Sequence, residues 1–291
     1  MKENLSPFLV LFAAMLWGTT GTAQAFAPES AHPIAIGAMR LAVGGMSLLV
    51  VALLLGQLRL KQWPVRPTVL AALCMAFYQP LFFSAVHMTG VAVGTVIAIG
   101  SAPVLSGVLE WIVWRKRPIR VWWYATLLSI LGCLMLFVNK ESISVNPYGI
   151  LMALGAGLMF AGYTMVSEKL VRGNSSLAVV AVVFTLSAIF LTPLLFIFDT
   201  SWVLELSGAA VSLHLGLIAT GAAYLLFAGG LRYVPSSTAV TLSLAEPLTA
   251  SLLGVFLVGE RLDMISWAGI ALLIIGIGLL IVGRGDRSTV P

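Results

Sequence analysis

Ten long apolar runs, separated by short polar breaks, fill almost all of this 291-residue sequence. A helix needs about 20 apolar residues to cross the hydrocarbon core of a bilayer, and each run is long enough to do so. Only 9% of the residues are charged, whereas soluble domains carry roughly 25%. The chain is therefore predicted to be an all-α, polytopic membrane protein. Its ten transmembrane helices are predicted at residues 6–27, 34–56, 67–87, 91–113, 119–138, 147–168, 176–198, 208–231, 235–258 and 264–283.

The basic residues are distributed unevenly between the two faces that ten crossings define. With the N-terminus in the cytoplasm, thirteen of them lie on the inner side, and only Lys140 and Arg261 lie on the outer side. Cationic loops favour the cytoplasmic face, so both termini are predicted to be cytoplasmic and the protein to lie in the cytoplasmic (inner) membrane. Since this bias accounts for the net charge of +5, the expected large partner is the lipid bilayer and not a nucleic acid. The inner residues are Lys2, Arg59, Lys61, Arg66, Arg115, Lys116, Arg117, Arg120, Lys169, Arg172, Arg232, Arg284 and Arg287.

The two halves of the chain resemble each other when the sequence is shifted by 144 residues without a gap. Five crossings per copy is an odd number, so the second copy would enter the membrane from the opposite side. Two inverted five-helix repeats are therefore predicted, at residues 5–140 and 147–284. Inverted repeats are typical of secondary transporters that alternate access around a site near the membrane midplane. The matched pairs include Gly18 with Gly162, Pro103 with Pro247, Trp123 with Trp267, and Gly132 with Gly276.

Short motifs along essentially the whole chain carry a family resemblance. They are Leu-Trp-Gly at 16–18, Met-Arg-Leu at 39–41, Ala-Leu-Gly-Ala-Gly at 153–157 running to Tyr163, Glu-Pro at 246–247, and Gly-Glu-Arg-Leu at 259–262, followed by Gly269 and Gly276. With these motifs the chain resembles the EamA-like transporters of the drug/metabolite transporter superfamily. One departure is that the first copy has Arg-Lys-Arg at 115–117 where the second has Gly-Glu-Arg, so the acidic loop element occurs once.

This resemblance implies a fold and a class of function. The implied fold is a bundle of ten helices with both termini inside. The implied activity is the export of amino acids and related small metabolites. The resemblance also implies that the first, third, fourth, sixth, eighth and ninth helices move around a central cavity. The fifth and tenth helices would then form a packing surface or the interface of a homodimer.

Two ionisable residues lie well inside predicted helices, where a charge costs about 2.5–3.5 kcal/mol on insertion scales. Glu246 is eleven residues into the ninth run, which is about 16 Å at 1.5 Å per residue. Arg40 is about six residues from the outer end of the second run, or roughly 9 Å deep. The shift places Ala102 on Glu246 and Phe184 on Arg40, so neither charge is repeated. Such unrepeated charges are what a site for an asymmetric substrate would need.

Three roles are open for Arg40 and Glu246. They could form a buried ion pair between two helices, or Arg40 could snorkel to the interface while Glu246 stays protonated. In the third role, which we take as the working hypothesis, one or both face the central cavity. Arg40 would meet a substrate carboxylate, and Glu246 would meet an ammonium group or carry a coupled proton. A zwitterionic amino acid suits this role because it offers each charge an opposite one in a low-dielectric site.

Other polar and aromatic residues at similar depth complete the candidate site. The predicted substrate-binding residues are Trp17, Thr20, Gln24, Arg40, Tyr78, Gln79, Tyr163, Tyr224 and Glu246, with Thr19, Thr22, Thr164, His214, Thr241 and Ser243 as further candidates. Pro103 and Pro247 are predicted hinges, because each removes a backbone hydrogen bond and permits a kink.

The sequence also lacks the motifs of several other function classes. It contains no phosphate-binding Gly-rich loop, no Cys/His metal set and no Ser-His-Asp arrangement, so no catalytic residue, metal or cofactor is expected. The predicted function is secondary transport, as an exporter of an amino acid or similar small molecule. One alternative is efflux of cationic drugs by proton exchange on Glu246, although Arg40 would repel a cation in the same cavity. An alternative from a different class is an intramembrane enzyme.

Overall fold

The computed structural model describes residues 2–58, 63–137, 146–259 and 262–285, which are helical with short connections and contain no strand. Several residues used above, including Arg59, Lys61, Lys140, Glu260, Arg261 and Arg287, lie outside the described residues. The α-helices are α1 (Lys2–Gly18), α2 (Thr20–Gln24), α3 (Pro33–Leu54), α4 (Val65–Thr89), α5 (Val91–Trp114), α6 (Arg120–Phe137), α7 (Pro147–Gly173), α8 (Ser176–Ile197), α9 (Leu206–Leu213), α10 (Ala223–Gly230), α11 (Ser236–Leu242), α12 (Ala245–Leu253) and α13 (Met264–Gly285).

Three shorter segments complete the helical structure. A π-helical segment, His214–Ala222, joins α9 to α10, and another, Gly254–Val258, extends α12. A 3₁₀ turn at Ser201–Leu204 precedes α9. The π-helical segments were not predicted from the sequence, because the apolar runs show only that a helix is present and not how it is wound.

Nine helical segments of the described chain are long and apolar enough to cross a bilayer. They start in the same order as nine of the ten predicted runs, so the chain is a multi-pass membrane protein. The remaining run corresponds to α6, which has 18 residues and is therefore about 27 Å long. It is an apolar helix but shorter than the others. A crossing by α6 therefore stays a prediction.

The contacts between helices follow the same pattern in the two halves of the chain. Helix α4 packs against α7, and α10 packs against α1; likewise α5 packs against α7, and α12 packs against α1. A shift of 144 residues relates α4 to α10 and α7 to α1, so the α4–α7 contact corresponds to the α10–α1 contact. In the same way the α5–α7 contact corresponds to the α12–α1 contact. The shift also relates α3 to α8 and α6 to α13, and the two members of each of these pairs pack against each other.

Glycines make one of these close helix crossings, that of α6 with α13, possible at two points. A Cβ atom on Gly132 would lie 2.6 Å from the carbonyl oxygen of Gly269, and one on Gly276 would lie 2.8 Å from that of Ala125. The two contacts are related by the shift, so the α6–α13 crossing has the same geometry at both of its ends. Small residues of this kind let helix backbones approach each other closely in membranes.

Candidate functional site

A cavity lies halfway along the membrane helices. Glu246 is the eleventh residue of the 22-residue segment Ser236–Leu257, and Ala102 is the tenth of the 22-residue segment Val93–Trp114. The site is therefore close to the middle of the predicted membrane, as the sequence indicated for Glu246. The cavity is lined by Trp17, Thr20, Arg40, Tyr78, Ala98, Ile99, Ala102, Phe160, Tyr224, Val240, Ser243 and Glu246.

A break between α11 and α12 positions Glu246 at this cavity. Because Pro247 has no N–H, it cannot bond to the carbonyl four residues earlier, which is that of Ser243. The N–H of Glu246 bonds to this carbonyl instead, at 2.9 Å. The hydroxyl of Ser243 also donates to the carbonyl of Ala239 at 3.0 Å, a back-bonding that weakens and bends helices. Glu246 consequently begins a new helical turn, that of α12.

The close approach of α1 fixes the other side of this turn. A Cβ atom on Gly18 would lie 2.7 Å from Cβ of Thr249 and 2.9 Å from the carbonyl oxygen of Glu246. Both distances are shorter than side chains tolerate, so only glycine allows this packing. The indole of Trp17, next in sequence, is thereby brought to the same cavity as the carboxylate of Glu246.

Arg40 is held by the π-helical segment that joins α9 to α10. Its Nε donates to Thr220 Oγ1 at 3.0 Å, and its Nη2 donates to the carbonyl of Ala219 at 3.3 Å. One turn farther along α3, a Cβ on Gly44 would lie 2.6 Å from the carbonyl oxygen of Gly216. This contact keeps the two helices close enough for the buried guanidinium to reach its acceptors.

Arg40 and Glu246 do not form an ion pair with each other, although both line the cavity. Within the described residues the ion pair found is that of Arg172 with Glu168. The guanidinium of Arg40 is engaged by Thr220 and Ala219. The carboxylate of Glu246 has no hydrogen-bonding side chain or backbone partner in the part of the chain that the structure describes. A buried ion pair between these two residues, one of the three roles left open by the sequence, is thus absent.

Aromatic rings form part of the wall of this cavity. The ring of Trp17 lies 4.7 Å from that of Tyr224 and 5.9 Å from that of Phe160, where the contact is edge-to-face. Tyr78 lies 6.0 Å from Phe160 on the other side. The Nε1 of Trp17 is buried and has no acceptor within the described ranges. The aromatic part of the wall is therefore a set of rings packed against one another.

The cavity is narrow in this conformation. The centre of a water-sized sphere can occupy only about 40 Å³ of it, which is room for a few water molecules, since one needs about 10–15 Å³ by this measure. A molecule the size of an amino acid therefore requires the helices or side chains to move apart. Within the described ranges no three His, Cys, Asp or Glu side chains lie together where they could hold a metal ion.

The model of the EamA-like transporter family matches this chain twice, over residues 4–138 and 147–282. The chain belongs to the EamA-like transporter family. The resemblance seen in the sequence motifs is thereby confirmed, and the protein is a membrane transporter.

Relatives within and beyond this family have similar lengths. The chain is 55% identical over 288 residues to the uncharacterized transporter YwfM of Bacillus subtilis, covering 99% of this chain and 97% of YwfM. It is 23% identical over 290 residues to the uncharacterized inner membrane transporter YicL of Salmonella typhimurium, with 96% of each covered. A protein of known crystal structure is 19% identical with a TM-score of 0.84, covering 98% of this chain and 99% of that one. This last similarity concerns the fold alone.

Six of the nine predicted binding residues line the cavity, and three do not. Gln79 is buried beside Gly37, with its Oε1 3.0 Å from where a Cβ of that glycine would lie. Tyr163 lies behind the wall, where its ring packs edge-on against Tyr224 at 5.8 Å. Gln24 ends α2 and is absent from the lining. The residues that do line the cavity are Trp17, Thr20, Arg40, Tyr78, Tyr224 and Glu246, together with Ser243.

The sequence-based search missed the apolar part of the lining and the partner of Arg40. It considered polar side chains at membrane depth, and so it passed over the apolar Phe160, Ala98, Ile99 and Val240. It also did not single out Thr220, although this residue is polar. The internal repeat held a usable signal. The shift pairs Ile99 with Ser243 and Ala102 with Glu246, and all four line the cavity.

The two predicted hinge prolines lie in different local structures. Pro103 is inside the uninterrupted helix α5, whereas Pro247 follows the break that begins α12. The residue four positions before Pro103 is Ile99, which has no hydroxyl to bond back to the helix. The residue four positions before Pro247 is Ser243, whose hydroxyl does so. This difference accounts for a broken helix at one copy and a continuous helix at the other.

Proposed function

We propose that this protein is a secondary transporter that exports amino acids or related small metabolites across the cytoplasmic membrane. The observation that carries the proposal is a narrow cavity at membrane depth that contains a cation, Arg40, and a carboxylate, Glu246, that are not paired with each other. A zwitterion supplies an opposite charge to each. Uncompensated charges are costly in such an environment, so the same cavity would bind a molecule with a single charge less well.

Alternating access is the proposed mechanism. The narrowness of the cavity supports it, because a site with room for a few waters must widen to admit substrate and close again to release it. The repeated packing of α4 on α7 and of α10 on α1 supports two inverted repeats, at residues 5–140 and 147–284. In this proposal α6 supplies the tenth crossing, both termini are cytoplasmic, and α6 and α13 pack outside the moving helices as a support or a homodimer surface.

Export of cations by proton exchange is the competing function. It is favoured by one observation, that the carboxylate of Glu246 has no partner in the described part of the chain. It is opposed by Arg40, whose guanidinium lines the same cavity and would repel a cation. The two functions therefore differ in the charge of the molecule that the cavity accepts.

Counterflow into proteoliposomes tests the substrate class. The purified protein is reconstituted and preloaded with one of the twenty amino acids or with a quaternary ammonium dye, and uptake of the labelled compound is followed. We expect at least one amino acid to show saturable counterflow above protein-free liposomes. Exchange of the cationic dye, without exchange of any amino acid, would overturn the proposal and favour proton-coupled cation efflux.

A further inference from the structure

A second cavity lies where several helices end, away from the central one. It is formed by the residues after α3, Trp63 just before α4, the end of α7 with the two residues that follow it, and Arg232, two residues after α10. It is wider than the central cavity, because the centre of a water-sized sphere can occupy about 440 Å³ of it. This volume is sufficient for a ligand of several heavy atoms without any movement of the helices.

Two arginines give this second cavity the character of an anion site. Arg232 donates through Nη2 to the carbonyl of Asn174, and most of its five N–H donors have no partner among the described residues. Arg172 is ion-paired with the buried carboxylate of Glu168 and keeps about half of its side chain exposed, at 54%. Two planar guanidinium groups in one cavity suit the oxygens of a phosphate group.

An apolar surface adjoins these arginines. Leu53, Leu54 and Leu55 are 60%, 81% and 60% exposed at the end of α3, and Leu55 also lines the second cavity. Trp63 also lines this cavity, and tryptophans near helix ends favour the level of lipid headgroups. A ligand with a phosphate at the arginines and hydrocarbon beside the leucines satisfies both surfaces.

We propose that the second cavity binds the headgroup of an anionic phospholipid, with its phosphodiester at Arg172 and Arg232 and an acyl chain along the leucines of α3. Basic pockets between membrane helices bind such headgroups in other proteins. The choice of an anionic lipid follows from the charge, because among the described residues the cavity is lined by two arginines and no carboxylate, and Glu168 pairs with only one of the two. A soluble phosphate would use the arginines but not the exposed leucines.

Native mass spectrometry of the full-length protein in detergent tests this proposal. Phosphatidylglycerol and phosphatidylcholine with identical acyl chains are titrated separately, and the lipid-bound fraction is measured. The variant is Arg232→Gln, which leaves the Arg172–Glu168 pair intact. The control is Arg66→Gln, in the exposed first turn of α4 and outside the cavity lining. Arg232→Lys provides a variant that keeps the charge, and circular dichroism checks that all of them remain helical.

We expect wild-type protein to bind phosphatidylglycerol in preference to phosphatidylcholine. Arg232→Gln should weaken phosphatidylglycerol binding about fivefold, as is typical for one basic residue near an anionic lipid. Arg232→Lys should weaken it less, and Arg66→Gln should change it by less than about twofold. Equal binding of the two lipids, or equal effects of Arg232→Gln and Arg66→Gln, would refute the site. Displacement of the lipid by millimolar inorganic phosphate would show that the ligand is a soluble anion and would also overturn the proposal.

Discussion

Replacement of Gly18 by alanine tests the packing that positions Glu246. The added Cβ would lie 2.7 Å from Cβ of Thr249 and 2.9 Å from the carbonyl oxygen of Glu246. Neither atom belongs to the flexible end of a side chain, so no rotamer change relieves the overlap and α1 must move away from α12. Overpacking of this kind typically costs 1–3 kcal/mol, which corresponds to a fall in Tm of roughly 2–6 °C.

The matched control for Gly18→Ala is Gly21→Ala, in the adjacent helix α2. A Cβ on Gly21 would meet no atom within 4 Å, so we expect its Tm to stay within about 1 °C of wild type. The assay is thermal unfolding of the purified protein in detergent, with transport in proteoliposomes measured in parallel. Because α1 also holds Trp17 at the cavity, Gly18→Ala should reduce transport as well. An unchanged Tm for Gly18→Ala, or equal losses in both variants, would refute the argument from close packing.

Two further substitutions test buried polar contacts by the same unfolding assay. Thr220→Val removes the acceptor of Arg40 Nε and should lower the free energy of unfolding by about 1.5–3 kcal/mol, as for hydrogen bonds to charged groups. The control Thr89→Val removes a hydroxyl bonded to its own helix and should lower the free energy of unfolding less. Equal losses in the two variants would contradict the role assigned to Thr220. Glu168→Ala removes the acceptor of the Ser236 N–H, bonded at 2.8 Å, and should cost about 1–3 kcal/mol. Glu168→Gln keeps an oxygen there and should cost less, so the reverse order would disprove this reading of the contact.

The order of nine membrane helices could be predicted from the sequence because it depends on length and apolarity alone. These nine runs correspond to helices long enough to span a bilayer, while the described part of the remaining one, α6, is shorter and its crossing stays a prediction. The depth of Glu246 and Arg40 was also predictable, since it follows from counting residues at 1.5 Å each. That both residues line one cavity was a hypothesis, and the structure places them there.

The rotation of each helix about its own axis could not be predicted. Membrane helices are apolar on most faces, so the sequence has little periodic contrast to show which side faces the interior. Tyr78 and Gln79 illustrate this, because neighbours on a helix point about 100° apart and only the tyrosine reaches the cavity. The break at Ser243 was similarly hidden, since it depends on a hydroxyl bonding back to its own helix beside a proline that also occurs in the other repeat.

The most direct test of the central claim is counterflow of the preferred amino acid by Glu246→Gln compared with Glu110→Gln. Both carboxylates lie on membrane helices, Glu110 buried and Glu246 half-buried, but of the two only Glu246 lines the cavity. Loss of a charged contact to substrate, worth about 1.5–3 kcal/mol, predicts a fall of about 10- to 150-fold in counterflow at low substrate concentration for Glu246→Gln. Glu110→Gln should stay within about twofold of wild type. Undiminished counterflow by well-folded Glu246→Gln protein would contradict the assignment of the cavity as the transport site.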